Sequence, residues 1–467
     1  MRKLWRWESR PESNQWRGIE PPQIDDLAQQ LLGEMRQMRA IDAHEHLRFG
    51  HMYDQFTLTE NSCSFSGNLS ALLLAPYVCF WMPDVLRNPI FWEPVPLDTI
   101  EKRQLAIDSL PRIKSEEPSV YRANLTIPFR DLYDYDIDQL NLNDWQSLDD
   151  LIVQKYSNGP WQWFDELCNK VNVKKVVKIN TSTGYYDTWL PTLKSEDRLI
   201  EERLFVCTLN IDLFMRNRPH TGEKTDETFY RLAERYGCSL DSFDGYLELV
   251  GHCFDSFAQT PAVAFKTGMT GYRHFDDPPV SVSRGPELFK CKFEGDDKRD
   301  WHSLMFGVVA QQAGRVGLPL GIHNGFDGPG HNPIDLEPVI VDCPETTFIV
   351  IHDGFPHYRD AATLAQRCPN VEIDLSWVAV RDFPASVDAY EHLLANVSGD
   401  RLTVGADAHY PETFYGMWVV HVEAIAAALS RLIQRDNWTQ DKALDLARRI
   451  LYDNAARLYG IGETAAT

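Results

Sequence analysis

The chain is poor in the features that would send it out of the cell, into a membrane or onto a nucleic acid. Its nine cysteines are scattered, odd in number and never spaced Cys-x-x-Cys. That pattern points to neither a disulfide framework nor a zinc finger, and reduced thiols in the cytoplasm are the simplest expectation. No apolar run reaches the roughly 20 residues that a membrane helix needs; Ala71-Leu72-Leu73-Leu74-Ala75 is stopped by Pro76. Residues 1–8 are basic and aromatic but contain no apolar signal core. Basic charge is in deficit, with 46 Lys and Arg against 68 Asp and Glu and a net charge of −22. Nucleic acid and anionic membrane are therefore poor partners, although a cationic pocket can sit inside an acidic protein. Internal repeats and low-complexity tracts are absent as well. A small-molecule substrate is the expected partner, with self-association into a homo-oligomer left open.

What is present is a long chain, 467 residues with 43% hydrophobic content, enough for a large core. Apolar, β-branched runs recur at 39–43, 174–179, 204–211, 262–265, 318–322, 347–351, 371–375 and 402–405. Amphipathic stretches of helical period separate most of them, such as 303–316, 358–367 and 389–397, and two more follow at 413–434 and 441–458. Strands alternating with helices imply parallel pairing, and eight such units imply a (β/α)8 TIM barrel. A doubly wound open sheet is the alternative, but no Gly-rich phosphate loop follows the first strand. The barrel would take residues 38–50 and 171–467. Residues 1–37 read as an amino-terminal arm and helix capping its lower end.

Between the first and second strands lies a long interval, residues 51–170. It is rich in Pro, Trp and Tyr and has helical stretches near 68–74, 97–110 and 148–170. An interval this long must hold its own structure. It reads as a mostly helical insertion, a lid on the catalytic face, with an outlying independent domain as the other possibility. Trp81, Trp92, Trp145, Trp161 and Trp163 all fall in or near it; such clustering usually serves packing, and it also suits a cover over an organic substrate.

The strand ends carry the chemistry. Ile41-Asp42-Ala43-His44-Glu45-His46 delivers two histidines one residue apart, which on a strand share a face and can grip one cation. A lone strand histidine is more often a satisfied core residue, but the other strand ends add to the set. The fourth ends Ala264-Phe265-Lys266-Thr267, the fifth Ile322-His323-Asn324-Gly325, the sixth Ile351-His352-Asp353-Gly354-Phe355-Pro356 and the eighth Gly405-Ala406-Asp407-Ala408. Potential ligands from five strands converge on the carboxyl-terminal face, where barrel enzymes place their chemistry. Together with Val371-Glu372-Ile373-Asp374-Leu375-Ser376 and the closing Asp453-Asn454-Ala455-Ala456-Arg457-Leu458-Tyr459-Gly460, these motifs resemble the amidohydrolase superfamily. The likeness is to its amidohydrolase-related, metal-dependent hydrolase branch, over roughly residues 39–460.

The resemblance implies a site. His44, His46, Lys266, His323, His352 and Asp407 would hold one or two divalent ions, zinc first and manganese second. His44 and His46 would hold the more buried ion, and His323 and His352 the other. Lys266 would bridge them as N6-carboxylysine; unmodified, it would make a salt bridge or meet a substrate carboxylate. Asp407 would be the catalytic base, passing a proton from an activated water to the leaving group. Tyr272, Arg273, Asp353, Arg359, Trp377 and His409 lie at strand tips where substrate would sit, each equally readable as a loop or packing residue. A guanidinium such as that of Arg273 could clamp a carboxylate bidentately.

The implied reaction is hydrolysis of an amide, a lactone or a related small organic acid derivative. Decarboxylation and uronate-type isomerisation are the alternatives on the same barrel. The large insertion is similar to that of uronate isomerases, while the strand-six histidine fits them poorly. A binding protein on a barrel scaffold is a further alternative, opposed by the completeness of the ligand set.

Overall fold

The structure, a computed structural model, describes residues 24–47, 52–53, 60–61, 67–87, 95–181, 185–222, 226–325 and 330–462. Eight strands form one parallel sheet in sequential order: β1 Ala40–Glu45, β2 Val173–Thr181, β3 Phe205–Asn210, β4 Ala264–Thr267, β5 Leu320–Ile322, β6 Phe348–Val350, β7 Val371–Asp374 and β8 Leu402–Thr403. Each falls on one of the apolar runs of the sequence. The two edge strands meet: Ala43 N–H donates to Val404 O (2.9 Å), Asp407 N–H to His44 O (2.8 Å) and His46 N–H to Ala408 O (2.9 Å). The fold is a (β/α)8 barrel.

The register of β1 against β2 shifts twice. Between Ala40 and Ile41 one step on β1 opposes two on β2; between Asp42, paired with Val176, and Glu45, paired with Lys178, three steps on β1 oppose two on β2. A bulge of the second kind flips the parity of the strand. Ile41 and Ala43 pack inside the barrel with Val177, Ile179, Ala264, Ile349 and Ile351; beyond the second shift, His44 and His46 turn to meet Asp407.

The inner cluster is completed by Ala455, Leu458, Tyr459 and Ile461. The carboxyl-terminal segment therefore packs into the barrel; residues 1–23 of the amino-terminal arm lie outside the described residues. The described part of that arm, the helix Asp26–Met35, instead packs on the long helix Pro411–Asp436. Asp25 caps it through Ala28 N–H (2.7 Å) and accepts from Ser430 Oγ (2.8 Å) and Gln434 Nε2 (3.1 Å). The helix Pro411–Asp436 is long and apolar enough to cross a membrane by length and composition alone, yet 72% of its most apolar window is buried inside the fold.

The interval after β1 is mostly helical where described, with helices that include Leu69–Leu73, Ile100–Glu116, Trp145–Lys155 and Pro160–Lys170, as well as a short antiparallel ladder of Met52–Tyr53 with Glu60–Asn61. The helical stretch expected over 148–170 is split in two: the first helix ends at Lys155, and Gly159, with φ 106, precedes Pro160, which opens the second. In Trp145–Lys155 the buried positions Trp145, Leu148 and Ile152 recur at helical spacing. They join Leu69, Leu72, Leu110 and Phe129 in a core separate from the barrel's.

Polar contacts then fix this layer to the barrel. Glu412, 1% exposed at the start of the helix Pro411–Asp436, accepts from Tyr133 Oη (2.5 Å), Tyr156 Oη (2.6 Å) and Trp163 Nε1 (2.8 Å). Arg122 pairs with Glu423 and Arg381 with Glu117 across the same boundary. Truncating the acceptor strands three buried donors, so Glu412→Ala is expected to lower the unfolding free energy by about 3–5 kcal/mol. Glu412→Gln, which keeps a carbonyl oxygen, should cost less. Equilibrium urea denaturation of the three proteins checks the order.

Candidate metal centre

The bulge in β1 and the turns after β6 and β8 bring His44, His352 and Asp407 together. One ligand atom from each lies within 4.8 Å of the others, and all three residues are buried. His44 Nε2 stands 3.4 Å from Asp407 Oδ1, and His46 Nε2 3.3 Å from the same oxygen. The rings of His323 and His352 meet edge to face at 4.9 Å, and those of His44 and His352 lie 5.1 Å apart. Lys266, 3% exposed, lines the space beneath with His44 and Asp374. Its charge acts on His44, His352 and Asp407.

Two further residues set the ring orientations, and neither was picked out for a role in the sequence. Asp374 Oδ1 lies 3.6 Å from His44 Nδ1. The Ser376 carbonyl lies 3.2 Å from His352 Nδ1, and Ser376 Oγ 3.1 Å from it. With His352 Nδ1 hydrogen-bonded and His44 Nδ1 turned to Asp374, Nε2 is the nitrogen each ring offers to the centre, the arrangement that metal-ligating histidines favour.

The donor set fits a divalent cation. Both His44 nitrogens and Asp407 Oδ1 are buried without a hydrogen-bond partner. Burial holds His44 down at about 4, and burial with the charges of His323, His44 and Lys266 holds His352 well below the usual imidazole value. Two neutral imidazoles therefore offer lone pairs to the same small volume. Burial also pushes Asp407 up to about 8, against the pull of Tyr77 and Lys266. An ion at the centre would satisfy all of these groups at once. For Asp374, burial works upward but is outweighed by the His44 ring and Ser376, so its carboxyl lies below the ordinary value.

Comparison with known proteins agrees with this geometry. The family model described as amidohydrolase matches residues 288–461, the part of the chain that holds β5 to β8 with His323, His352 and Asp407. That part of the chain is similar to the amidohydrolase family. Protein fluG of Emericella nidulans is 33% identical over 156 residues, covering 31% of this chain; the chain spans only 18% of that relative's length. Among solved structures, glucuronate isomerase from Caulobacter crescentus superposes with a TM-score of 0.70 at 16% identity, covering 94% of this chain and 95% of that one. Uronate isomerase from Thermotoga maritima gives 0.68 at 13% identity, covering 93% and 97%. At those identities the likeness is one of fold. The amidohydrolase match over residues 288–461 and the His/His/Asp group agree on a metal-binding centre at this end of the barrel.

Of the residues expected to meet substrate, the barrel brings two to its centre. His409 stacks on His46 at 5.2 Å, and Trp377 lies 5.3 Å from the His352 ring. Tyr77 joins them from the insertion: its hydroxyl donates to Asp407 Oδ2 at 2.5 Å, and its ring faces His409 and Trp377 at 5.7 and 6.4 Å. Nothing in the local sequence Ala75-Pro76-Tyr77 signals that contact.

Arg273 requires a correction. It is 1% exposed, and its guanidinium is spent on Ser303 Oγ, His274 O and Asp277 O, which leaves no fork for a carboxylate. Arg359 is corrected as well: it is exposed at the start of the helix Tyr358–Arg367, over the ring of Tyr358. Tyr272 donates to Asp212 Oδ1 (2.8 Å), tying β4's end to β3's. Asp353 is fully buried, and its electrostatic neighbours are Asp374 and Tyr390.

The backbone at the centre is forced. His352, Asp353, Trp377 and Asp407 all have positive φ, between 49° and 67°. Such conformations cost of order 1–3 kcal/mol each and concentrate at functional sites. Gly405 makes the close approach of β1 and the β8 end possible: a Cβ there would lie 2.4 Å from His44 N and 2.6 Å from His44 Cβ. Gly405→Ala is therefore expected to displace His44, to cost about 1–3 kcal/mol and to lower bound metal per chain. Elemental analysis of the folded variant beside the parent protein checks it.

Proposed function

We propose that this chain is a metal-dependent hydrolase acting on an amide, lactone or related carbonyl bond of a small organic acid derivative. The observation that carries the reading is the convergence of His44, His352 and Asp407, and above all the place of the strand-six histidine in that group. A divalent ion there, zinc by its preference for imidazole and carboxylate ligands and manganese as the alternative, supplies a polarising centre and lowers the pKa of water from about 15.7 towards 7.

The chain's own residues do the rest. His44 and His352 keep fixed ring orientations against Asp374 and Ser376. Asp407 presents Oδ1 to the centre and takes the proton of the attacking water there, then returns it to the leaving atom. The Tyr77 hydroxyl, bonded to Oδ2, holds the carboxylate in that orientation. Tyr77, Trp377 and His409 wall the approach with aromatic faces, so the insertion after β1 takes part in choosing the substrate. Lys266 as N6-carboxylysine would serve a second ion; unmodified, it offers an ammonium to a substrate carboxylate.

Uronate-type isomerisation is the second reading, favoured by the fold likeness to glucuronate isomerase over 94% of the chain. Decarboxylation is a third reaction open to the same barrel. Turnover of a panel of amides, lactones and hexuronates in 18O-labelled water separates them. The hydrolase reading expects one labelled oxygen in the product acid. It also expects a loss of about 10²–10⁴-fold in turnover for Asp407→Asn, with metal and activity both lost in His44→Ala and His352→Ala. Conversion of a hexuronate to its ketose without label would move the assignment to isomerase, and release of carbon dioxide would move it to decarboxylase.

A further inference from the structure

We infer that Asp42 and Glu45, two acids that ligate nothing, are positioning residues which set the place of Asp407 relative to His44. The inference rests on the metal-centre reading above and extends it along β1. The two residues flank the second register shift of β1, and both are 0% exposed.

One oxygen of each acid is spent on backbone, and the two carboxyls face each other. Asp42 Oδ1 accepts from Ala406 N–H (3.2 Å) and from His44 N–H (3.0 Å). Glu45 Oε2 accepts from Ala408 N–H (3.1 Å). Between these two, Asp407 N–H donates to His44 O (2.8 Å). Three consecutive amides, at 406, 407 and 408, are thus anchored to a four-residue stretch of β1 that also carries His44.

This anchoring matters because the segment lies beyond the end of its own strand, where, among the described residues, its other backbone bonds to β1 are those of Val404 O and Ala408 O. β8 is two residues long, Leu402–Thr403, and its ladder with β7 ends at Thr403 and Asp374. Asp407 follows four residues later at φ 63, a conformation that a non-glycine residue leaves unless its surroundings hold it. Fixing the amide on each side of Asp407 fixes both of the peptide planes that aim its side chain. Asp42 also touches the His44 amide, so one carboxyl spans both partners of the 3.4 Å approach between His44 Nε2 and Asp407 Oδ1.

The test separates reach from charge. Glu45→Gln keeps the length and an acceptor oxygen but loses the charge; Glu45→Asp keeps the charge and withdraws the oxygen by one methylene. Zinc affinity of the metal-stripped full-length protein is read by competition with a chromophoric chelator, and the site's symmetry by the visible spectrum of the cobalt-loaded form. Glu45→Gln is expected to stay within about threefold of the parent, while Glu45→Asp and Asp42→Ala lose about 10–100-fold, the range seen for groups that orient ligands, with an altered cobalt spectrum. Asp42→Asn should restore most of what Asp42→Ala loses.

Equal affinities and spectra in Glu45→Asp and the parent would overturn the inference, as would an equal loss in Glu45→Gln and Glu45→Asp. If Asp42→Ala does not fold, the Glu45 pair decides alone. A parent protein that binds no zinc would instead defeat the metal-centre reading itself.

Discussion

His44 Nε2 and Asp407 Oδ1 face each other 3.4 Å apart, both buried and neither with a hydrogen-bond partner. Burial lowers His44 and raises Asp407, so with no cation both are discharged, and their buried, unpartnered atoms are costly. Most of the barrel's upper face can be understood as what forces this pair together and keeps it so. The bulge in β1 turns His44 inward, and the missing side chain of Gly405 lets the two edge strands approach. Two acids of β1 grip the amides around Asp407. A cation relieves the conflict that these devices create, and a barrel that spends backbone strain at four positions around one point is organised for binding there.

The insertion contributes in a different way. It has its own apolar core but is also tied to the barrel through a buried carboxylate, Glu412, with three donors from three of its elements. That bonding gives it the character of a fixed wall, with Tyr77 at its inner edge touching Asp407. Specificity would then come from the shape of a standing aromatic surface, in keeping with barrels whose loops at the strand ends choose the substrate.

Much of this was legible in the sequence, for local reasons. The eight strands are short apolar runs with helices between them, and that alternation survives without knowledge of tertiary contacts. His44, His323, His352 and Asp407 stand at strand ends in matching register, so topology alone brings them to one face. The residues that were not legible depend on contacts far apart in the chain. Tyr77 meets Asp407 across 330 positions, and Glu412 meets Tyr133 across 279. Arg273 looks like a substrate clamp from its place after Lys266, but the fold turns its guanidinium onto the carbonyls of His274 and Asp277. The packing of Leu458, Tyr459 and Ile461 into the barrel is likewise a contact between distant parts of the chain.

The central claim is that one buried cation binds where His44, His352 and Asp407 converge. Anomalous diffraction from a crystal of the zinc-loaded protein, recorded on both sides of the zinc absorption edge, tests it directly. The account predicts a strong anomalous peak in coordinating contact with His44, His352 and Asp407, at the roughly 2.0–2.2 Å expected for zinc with nitrogen and oxygen ligands. A fully loaded crystal with no peak between these three residues, or with its zinc bound elsewhere, would contradict it.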